Sequence, residues 1–540
     1  MKSIDRRSFI ASAAAAAAGS ACFASAAQAA APVADNGTWD DEADIIICGA
    51  GVAGLNAACT ASFESLGTTI NLEASPENLA GGNSASTVGV LFCPNDVESA
   101  KMYQAALDGY YHNFLDEKIF DVWANDIVLN KDWMEENYDC TYNPNIGSTG
   151  TQGEFPAVPG ADGCPTYRIS EGLTWDAVKE KFDELELPIY YDARAMRLVV
   201  NEEGVVIGVE CEDGRRFKAH KGVLLATGGF ESSAEMMRTY MPAGYSNARG
   251  IGGWYNRGDG IKMAMTMGAD LIHMSNISGA ALGLRIVPDD FGEDARAWCS
   301  WSAKSYIYVD QHGRRFMDEN IRRLHGKTYF GGTFIESPMP EGAWAIFDQA
   351  IFEGKEGKGC IYLQNCFSVE HGVDCFHSNQ EALEAGSIFK CDTVADLAAA
   401  TGLPEAELQK TLERYNGFAA QNFDEDFGRG RATNDYNEPV DTLGSPDDLV
   451  TRAAFDLVPI EPPYYCVRLY GAILNTQGGP KRSADCEIID VFGEPIPRLY
   501  SAGEMGCEYD YVYNAGGNIS EAISSGRRAV RIISALDPIA

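Results

Sequence analysis

Residues 49–54 read Gly-Ala-Gly-Val-Ala-Gly, and an acid, Glu73, stands about 20 residues further on. This is the spacing that cradles a dinucleotide. Gly49 allows a tight turn, Gly51 lets a pyrophosphate approach the backbone, and Gly54, after Ala53, lets a helix pack on a strand. The Glu73 carboxylate can bond ribose hydroxyls. Near the other end, residues 511–523 read YVYNAGGNISEAI. A phenol, Tyr513, precedes two adjacent glycines, Gly516 and Gly517, and a helical pattern opens at once. Glycine admits close approach of the backbone, and a helix N-terminus carries positive partial charge.

These groups need elements to hold them. Residues 45–48 are a short apolar run, read as a buried parallel strand. An Ala-rich amphipathic stretch after Gly54 reads as a helix, and 69–72 as a second strand ended by Glu73. Gly81-Gly82-Asn83-Ser84 is a second glycine loop. LLATGGF (224–230) is a strand ending on two glycines, and RLYSAGEMG (498–506) is another, running into glycine and an acid. LVVNEEGVVIGVEC (198–211) reads as a hairpin, PEAELQKTLERYNGFAAQ (404–421) as a helix, and 422–448 as a polar surface loop. No internal repeat is evident.

With these pieces in order, the chain resembles the flavoprotein family of soluble fumarate reductases and 3-ketosteroid dehydrogenases. The matching stretches are GAGVAGLNAA, GGNSASTVG, ATGGF, NRGDGIKMAMTMGA, HGRRFMDENIRR, EPPYYCVRLY, NTQGG, GEPIPRLYSAGE and NAGGNISEAISSGRRA. They run over nearly the whole chain after residue 30. The resemblance implies an α/β architecture: a Rossmann-like FAD-binding domain over 31–278 and 475–540, with an inserted α+β capping domain over 279–474. It implies non-covalent FAD, held by Gly49, Gly51, Ala53, Gly54, Glu73, Gly82, Asn83, Ser84, Thr227, Gly228, Asp259, Glu504, Gly516, Asn518 and Ile519.

The resemblance also carries roles onto particular residues. After Gly313-Arg314-Arg315-Phe316-Met317-Asp318-Glu319, Arg323 falls where fumarate reductases keep their proton donor. Arg322 is adjacent, and the alternative for Arg323 is a structural pairing with Glu319 or Asp318. Tyr513 and the Gly517 N–H stand where ketosteroid dehydrogenases hold a keto oxygen, as an oxyanion hole would. Tyr-Pro-Gly of those enzymes is not reproduced, since Asn514-Ala515 stand there; the alternative is that the glycines meet flavin and Tyr513 only packs. Where the family keeps two histidines and an arginine for a dicarboxylate, this chain has Ser278-Gly279-Ala280, Asn475 and Asn514. That loss of charge-assisted partners argues against fumarate. Tyr306, Tyr308, Tyr329, Tyr509, Tyr511, Trp298 and Trp301 suit either an aromatic wall for a planar ligand or a core.

Composition bounds the rest. The chain has 540 residues, 45% hydrophobic, with net charge −36, which speaks against nucleic acid and anionic membrane as partners. Residues 1–30 carry Arg6-Arg7, an apolar Ala-rich run and Ala27-Gln28-Ala29. They read as a twin-arginine export signal with a cleavage site, and no later apolar run is long enough for a membrane span. Fifteen cysteines include no C-x-x-C, so haem attachment of that type is not expected, and the histidines form no metal-binding pair. The expectation is an exported FAD-dependent oxidoreductase, periplasmic or at the cell surface. It would reduce an activated C=C bond of an enone, lactone or steroid-like small molecule. Electrons would come from a separate cytochrome or quinol-linked electron-transfer protein. The alternatives are an enoate reductase of urocanate or cinnamate type, and a ketosteroid-type dehydrogenase running toward desaturation.

Overall fold

The computed structural model describes residues 31–87, 89–109, 116–145, 158–279, 281–285, 296–299, 301, 305–319, 327–330, 333–336, 339–354, 360–362, 376–427, 429, 457–509 and 513–539. The expected signal, Arg322, Arg323, Tyr511 and most of the 422–448 loop lie outside these residues, as do the side chains of Trp298 and Tyr329.

A nine-stranded sheet organises the chain. Strand β1 (Asp41–Cys48) is followed by helix α1 (Val52–Phe63) and strand β2 (Thr69–Leu72). Then come β3 (Ile189–Tyr190), β4 (Ala195–Val200), β5 (Val206–Cys211), β6 (Arg216–Leu225) and, from far along the chain, β7 (Pro495–Ser501). β6 pairs in parallel with β1 on one edge and with β7 on the other, and β1 pairs in parallel with β2. β4 and β5 form the antiparallel hairpin expected over 198–211. The register sets Leu72 beside Cys48, Cys48 beside Leu225 and Leu225 beside Ser501. Four strands therefore end in one row.

Both faces of this sheet are covered, which is why 45–48 reads as an unbroken apolar run. Ile45 and Ile47 pack with α1 and with helix α2 (Gly517–Ser534), while Ile46 and Cys48 pack on the opposite side with Leu198, Phe217 and Val223. The two helices cross closely: a Cβ on Gly526 would lie 2.4 Å from the Ala53 carbonyl oxygen. Asn56 locks the crossing by donating to the Ile523 carbonyl at 2.8 Å and accepting from the Tyr138 hydroxyl at 2.6 Å.

The chain leaves this layer and returns through a short antiparallel pairing of Ile277–Ser278 with Asn475–Thr476. Between them lies a four-stranded antiparallel sheet ordered Tyr306–Val309, Trp344–Asp348, Tyr464–Arg468, Ile388–Cys391. The helix Glu405–Gln421 buries Leu408, Leu412, Tyr415 and Ala419 against it, one stripe at helical spacing. Trp301, Tyr306 and Tyr308 form a stacked, hydrogen-bonded core cluster, which settles those three aromatics as packing.

A buried ion cluster anchors the same region. The Glu319 carboxylate takes both arms of Arg315 at 2.7 Å and Nη1 of Arg429 at 2.9 Å, and Arg315 also reaches Asp424 at 2.7 Å. Burial works against the charge, yet Arg315 and Arg429 hold Glu319 below the ordinary carboxylate range. Removing one member of such a cluster strands the others. Glu319→Gln is expected to lower stability by about 3–5 kcal/mol, read as a lower denaturant midpoint at unchanged slope.

Candidate cofactor and active site

The loops leaving the row of strand ends form one cradle. Gly49 has φ +115°, and a Cβ there would lie 2.3 Å from the Ala226 carbonyl oxygen, so no other residue fits. Gly51, extended, opens α1 with no side-chain cap, and α2 opens at Gly516 in the same uncapped way. Ser84 closes on the first helix by accepting the Val52 N–H at 3.1 Å. The Gly81-Gly82 turn rests against Trp175, whose indole N–H donates to the Ala50 carbonyl at 2.9 Å. Gly54 packs its Cα on Gly49, with no room for a methyl group.

Glu73 does more than await a ribose. Its carboxylate accepts the N–H of Ala50 at 2.9 Å and both the N–H and hydroxyl of Ser75 at 2.9 Å, which clasps the glycine loop to the end of β2. Burial pushes this carboxyl up despite those bonds. Thr227 donates to the Met505 sulfur at 3.2 Å, and Gly228 lies against Asn256. Asp259, at the start of its helix, presents both oxygens to Arg194 at 2.7 and 2.9 Å, which ties that helix to the residue just before β4. Ala53 and Ile519 are buried beside each other in the helix layer.

The amide of Asn83 is turned inward, bridging two acids. Its Nδ2 donates to Glu231 at 2.8 Å and to Glu504 at 3.1 Å, while its Oδ1 accepts the Gly253 N–H at 2.9 Å. Glu231 escaped the reading of the sequence. Its signal was an acid two residues after the glycine pair that ends the strand.

The expected pair of donors at Tyr513 and Gly517 is corrected. The Gly517 N–H donates to the Asn514 carbonyl at 2.8 Å, closing the turn that starts α2, so it is not aimed at a shared oxygen. The Gly516 N–H instead donates to the Tyr513 hydroxyl oxygen at 3.0 Å. Such a bond polarises the phenol and makes it a better donor. Beside it runs a polar chain that the sequence did not reveal. Asn276 donates to the Gln477 side-chain carbonyl, and the Gln477 amide donates to the Tyr509 hydroxyl at 2.6 Å and to Asn518 at 3.1 Å. His273 and Cys507 meet at 3.1 Å in the same buried wall.

The site thus offers glycine-lined loops, two helix N-termini whose cap residues are glycines, a carboxylate at the end of β2, and a polar wall of neutral amides and phenols. Residues of this kind fit FAD: uncapped N–H groups suit its pyrophosphate, and Glu73 has a lone pair left for a ribose hydroxyl.

Comparison with known proteins agrees with that fit. Residues 44–520 match the family described as FAD binding domain. The 3-oxosteroid 1-dehydrogenase of Mycobacterium tuberculosis (strain ATCC 25618 / H37Rv) is 30% identical over 345 residues, 60% of this chain and only 56% of that enzyme's length. The digoxin reductase of Eggerthella lenta is 26% identical over 93% of this chain and 88% of its own. The crystal structure of 3-ketosteroid delta1-dehydrogenase from Sterolibacterium denitrificans shares the fold, with TM-score 0.69 at 19% identity, covering 92% of this chain and 99% of that one.

One titration follows from the wall. Burial first, and Arg482 second, lower His273 from its ordinary 6.5 to about 4. Between those values the unfolded chain binds a proton that the folded chain refuses, so stability falls as pH drops through this window. His273 has φ +56°, which asparagine tolerates. His273→Asn is expected to make the acid-side decline of the apoprotein's melting temperature shallower, with no change on the alkaline side.

Proposed function

The chain belongs to the FAD binding domain family, and we propose that it is an FAD-dependent oxidoreductase that reduces an activated C=C bond beside a ketone, a lactone or a steroid-like enone. The observation that carries the substrate class is the neutrality of three positions where a dicarboxylate site would need cations. Ser278 is fully buried. Asn475 is buried beside Glu504. Asn514 is buried, its side-chain oxygen accepting the Tyr103 hydroxyl at 2.7 Å. A carbonyl asks for hydrogen bonds, whereas a carboxylate asks for a charge-assisted partner.

FAD, once reduced by the electron donor, would supply the hydride for one carbon of the double bond. The chain supplies the rest. Tyr513, polarised from behind by the Gly516 N–H, donates to the carbonyl oxygen and stabilises the charge that gathers there. Arg323 delivers the proton to the second carbon. The reading includes export by the twin-arginine route, a substrate-capping role for 279–474, and a cytochrome- or quinol-linked protein as electron donor. A second reading, desaturation of a ketosteroid, draws on the similarity to 3-oxosteroid 1-dehydrogenase.

The test is anaerobic. The purified holoprotein is reduced, and flavin absorbance is followed as a 4-ene-3-keto steroid, an unsaturated lactone, urocanate, a cinnamate and fumarate are added in turn. Reoxidation by the enone or the lactone is the expected outcome; reoxidation by carboxylates alone would refute the carbonyl site. Arg323→Ala should slow reoxidation about 100- to 10,000-fold and Tyr513→Phe about 100-fold, both with FAD retained.

A further inference from the structure

Glu231 and Glu504 lie against a single amide group, that of Asn83. Glu231 is fully buried, and Glu504 is partly so. Their remaining partners are all neutral. Glu231 accepts from the Asn256 amide at 2.6 Å, from the Thr476 N–H at 3.2 Å and from the Thr476 hydroxyl at 3.0 Å. That hydroxyl accepts the Phe230 N–H at 2.8 Å, so its own proton is directed to Glu231. Among the described residues Glu504 accepts from the Asn83 amide, with the Asn475 amide as a second neutral neighbour. Among the described residues neither acid has an arginine, lysine or histidine partner. The other carboxyl that bears on the pair is Glu521 of α2, bonded to Arg482 and itself pushed up to about 8 by burial, and the Tyr509 phenol also feels Glu504.

Two carboxylates this close in a buried site cannot both ionise without a cation. The donor inventory separates them. A carboxylate has about four lone-pair positions, and Glu231 has a donor for each: Asn83 and Asn256 on one oxygen, the two Thr476 groups on the other. Glu504 lacks that supply. Burial and the neighbouring Glu231 push Glu504 well above the ordinary carboxylate range.

We propose that Glu231 and Glu504 hold one proton between them at neutral pH, with Glu231 the carboxylate and Glu504 the acid. This wall of the cradle then carries one negative charge instead of two. The 503–506 loop presents a carboxylic O–H, a donor where an ionised side chain would be a pure acceptor. That matters beside a cofactor whose pyrophosphate is already anionic, and in that respect the inference rests on FAD occupying the cradle.

The test uses the full chain without cofactor, so it does not depend on that reading. Infrared spectra in D2O would be recorded across a pH titration and compared with those of Glu504→Gln, Glu231→Gln and Glu521→Gln. The acid C=O band of the wild type at neutral pH should lose one carboxyl's intensity in Glu504→Gln. In Glu231→Gln the band should disappear at lower pH than in the wild type, because the charged neighbour that adds to burial in raising Glu504 is gone. In Glu521→Gln the Glu504 component should persist, any loss there being the acid band of Glu521 itself. Wild-type intensity in Glu504→Gln, or an unshifted titration in Glu231→Gln, overturns the shared proton. If either fails to fold, Asn83→Ala is read instead. Loss of the common donor should move the band's disappearance to higher pH, and an unmoved titration overturns the proposal. Melting temperature gives an independent check. A raised carboxyl contributes stability below its unfolded value and loses it as pH rises through the folded one, so Glu504→Gln should flatten the alkaline-side decline. FAD binding, measured in parallel by flavin fluorescence, separates the two ideas: a protein that shows the band but binds no FAD keeps the pair and loses the functional reading.

Discussion

Leu72, Cys48, Leu225 and Ser501 stand side by side as the last residues of four parallel strands. Everything at the site depends on this row. Glu73, the Gly49 loop, the Thr227-Gly228 loop and the Gly503-Glu504 loop each begin one step beyond it, so segments from opposite ends of the chain open at one level. The row is rigid because β6 is paired on both edges and both faces of the sheet are packed. A slip of one residue in any strand would turn its side chains to the other face and carry its loop out of place.

The close crossing of α1 and α2 follows from the same constraint. The first turn of α1 packs on the middle of α2 because Gly526 admits the Ala53 backbone, and α2 starts where it does because Gly516, at φ +82°, admits the backbone of Phe92. Both N-cap residues are glycines without a side chain to offer, and only the Val52 N–H of α1 is taken up by Ser84, which leaves further N–H groups for an anionic ligand.

Two buried acid clusters show how differently the chain treats charge. Glu319 lies between Arg315 and Arg429 and stays ionised, so it is a fixed strut in this part of the fold. Glu231 and Glu504 are surrounded by amides, a hydroxyl and backbone N–H groups, so their charge state answers to protons. The first arrangement suits an anchor. The second suits the lining of a site where cofactor charge must be balanced.

The sequence alone determined the elements and the ligand class. The apolar run at 45–48, the glycine spacing and the acid at 73 specify strand, turn, helix and strand within a short window. The helix expected over 404–421 forms as Glu405–Gln421, because an apolar residue every three or four positions has one way to be buried. Tertiary structure decided which group each side chain meets. Asp259 meets Arg194, 65 residues away; Asn83 meets Glu231 and Glu504, 148 and 421 residues away; and the Gly517 N–H closes a turn instead of pointing outward. Hydrophobic period and backbone preference act between neighbours in the chain and are legible there. A buried amide or carboxylate can satisfy itself with many chemically equivalent partners, and only the register of distant strands selects among them.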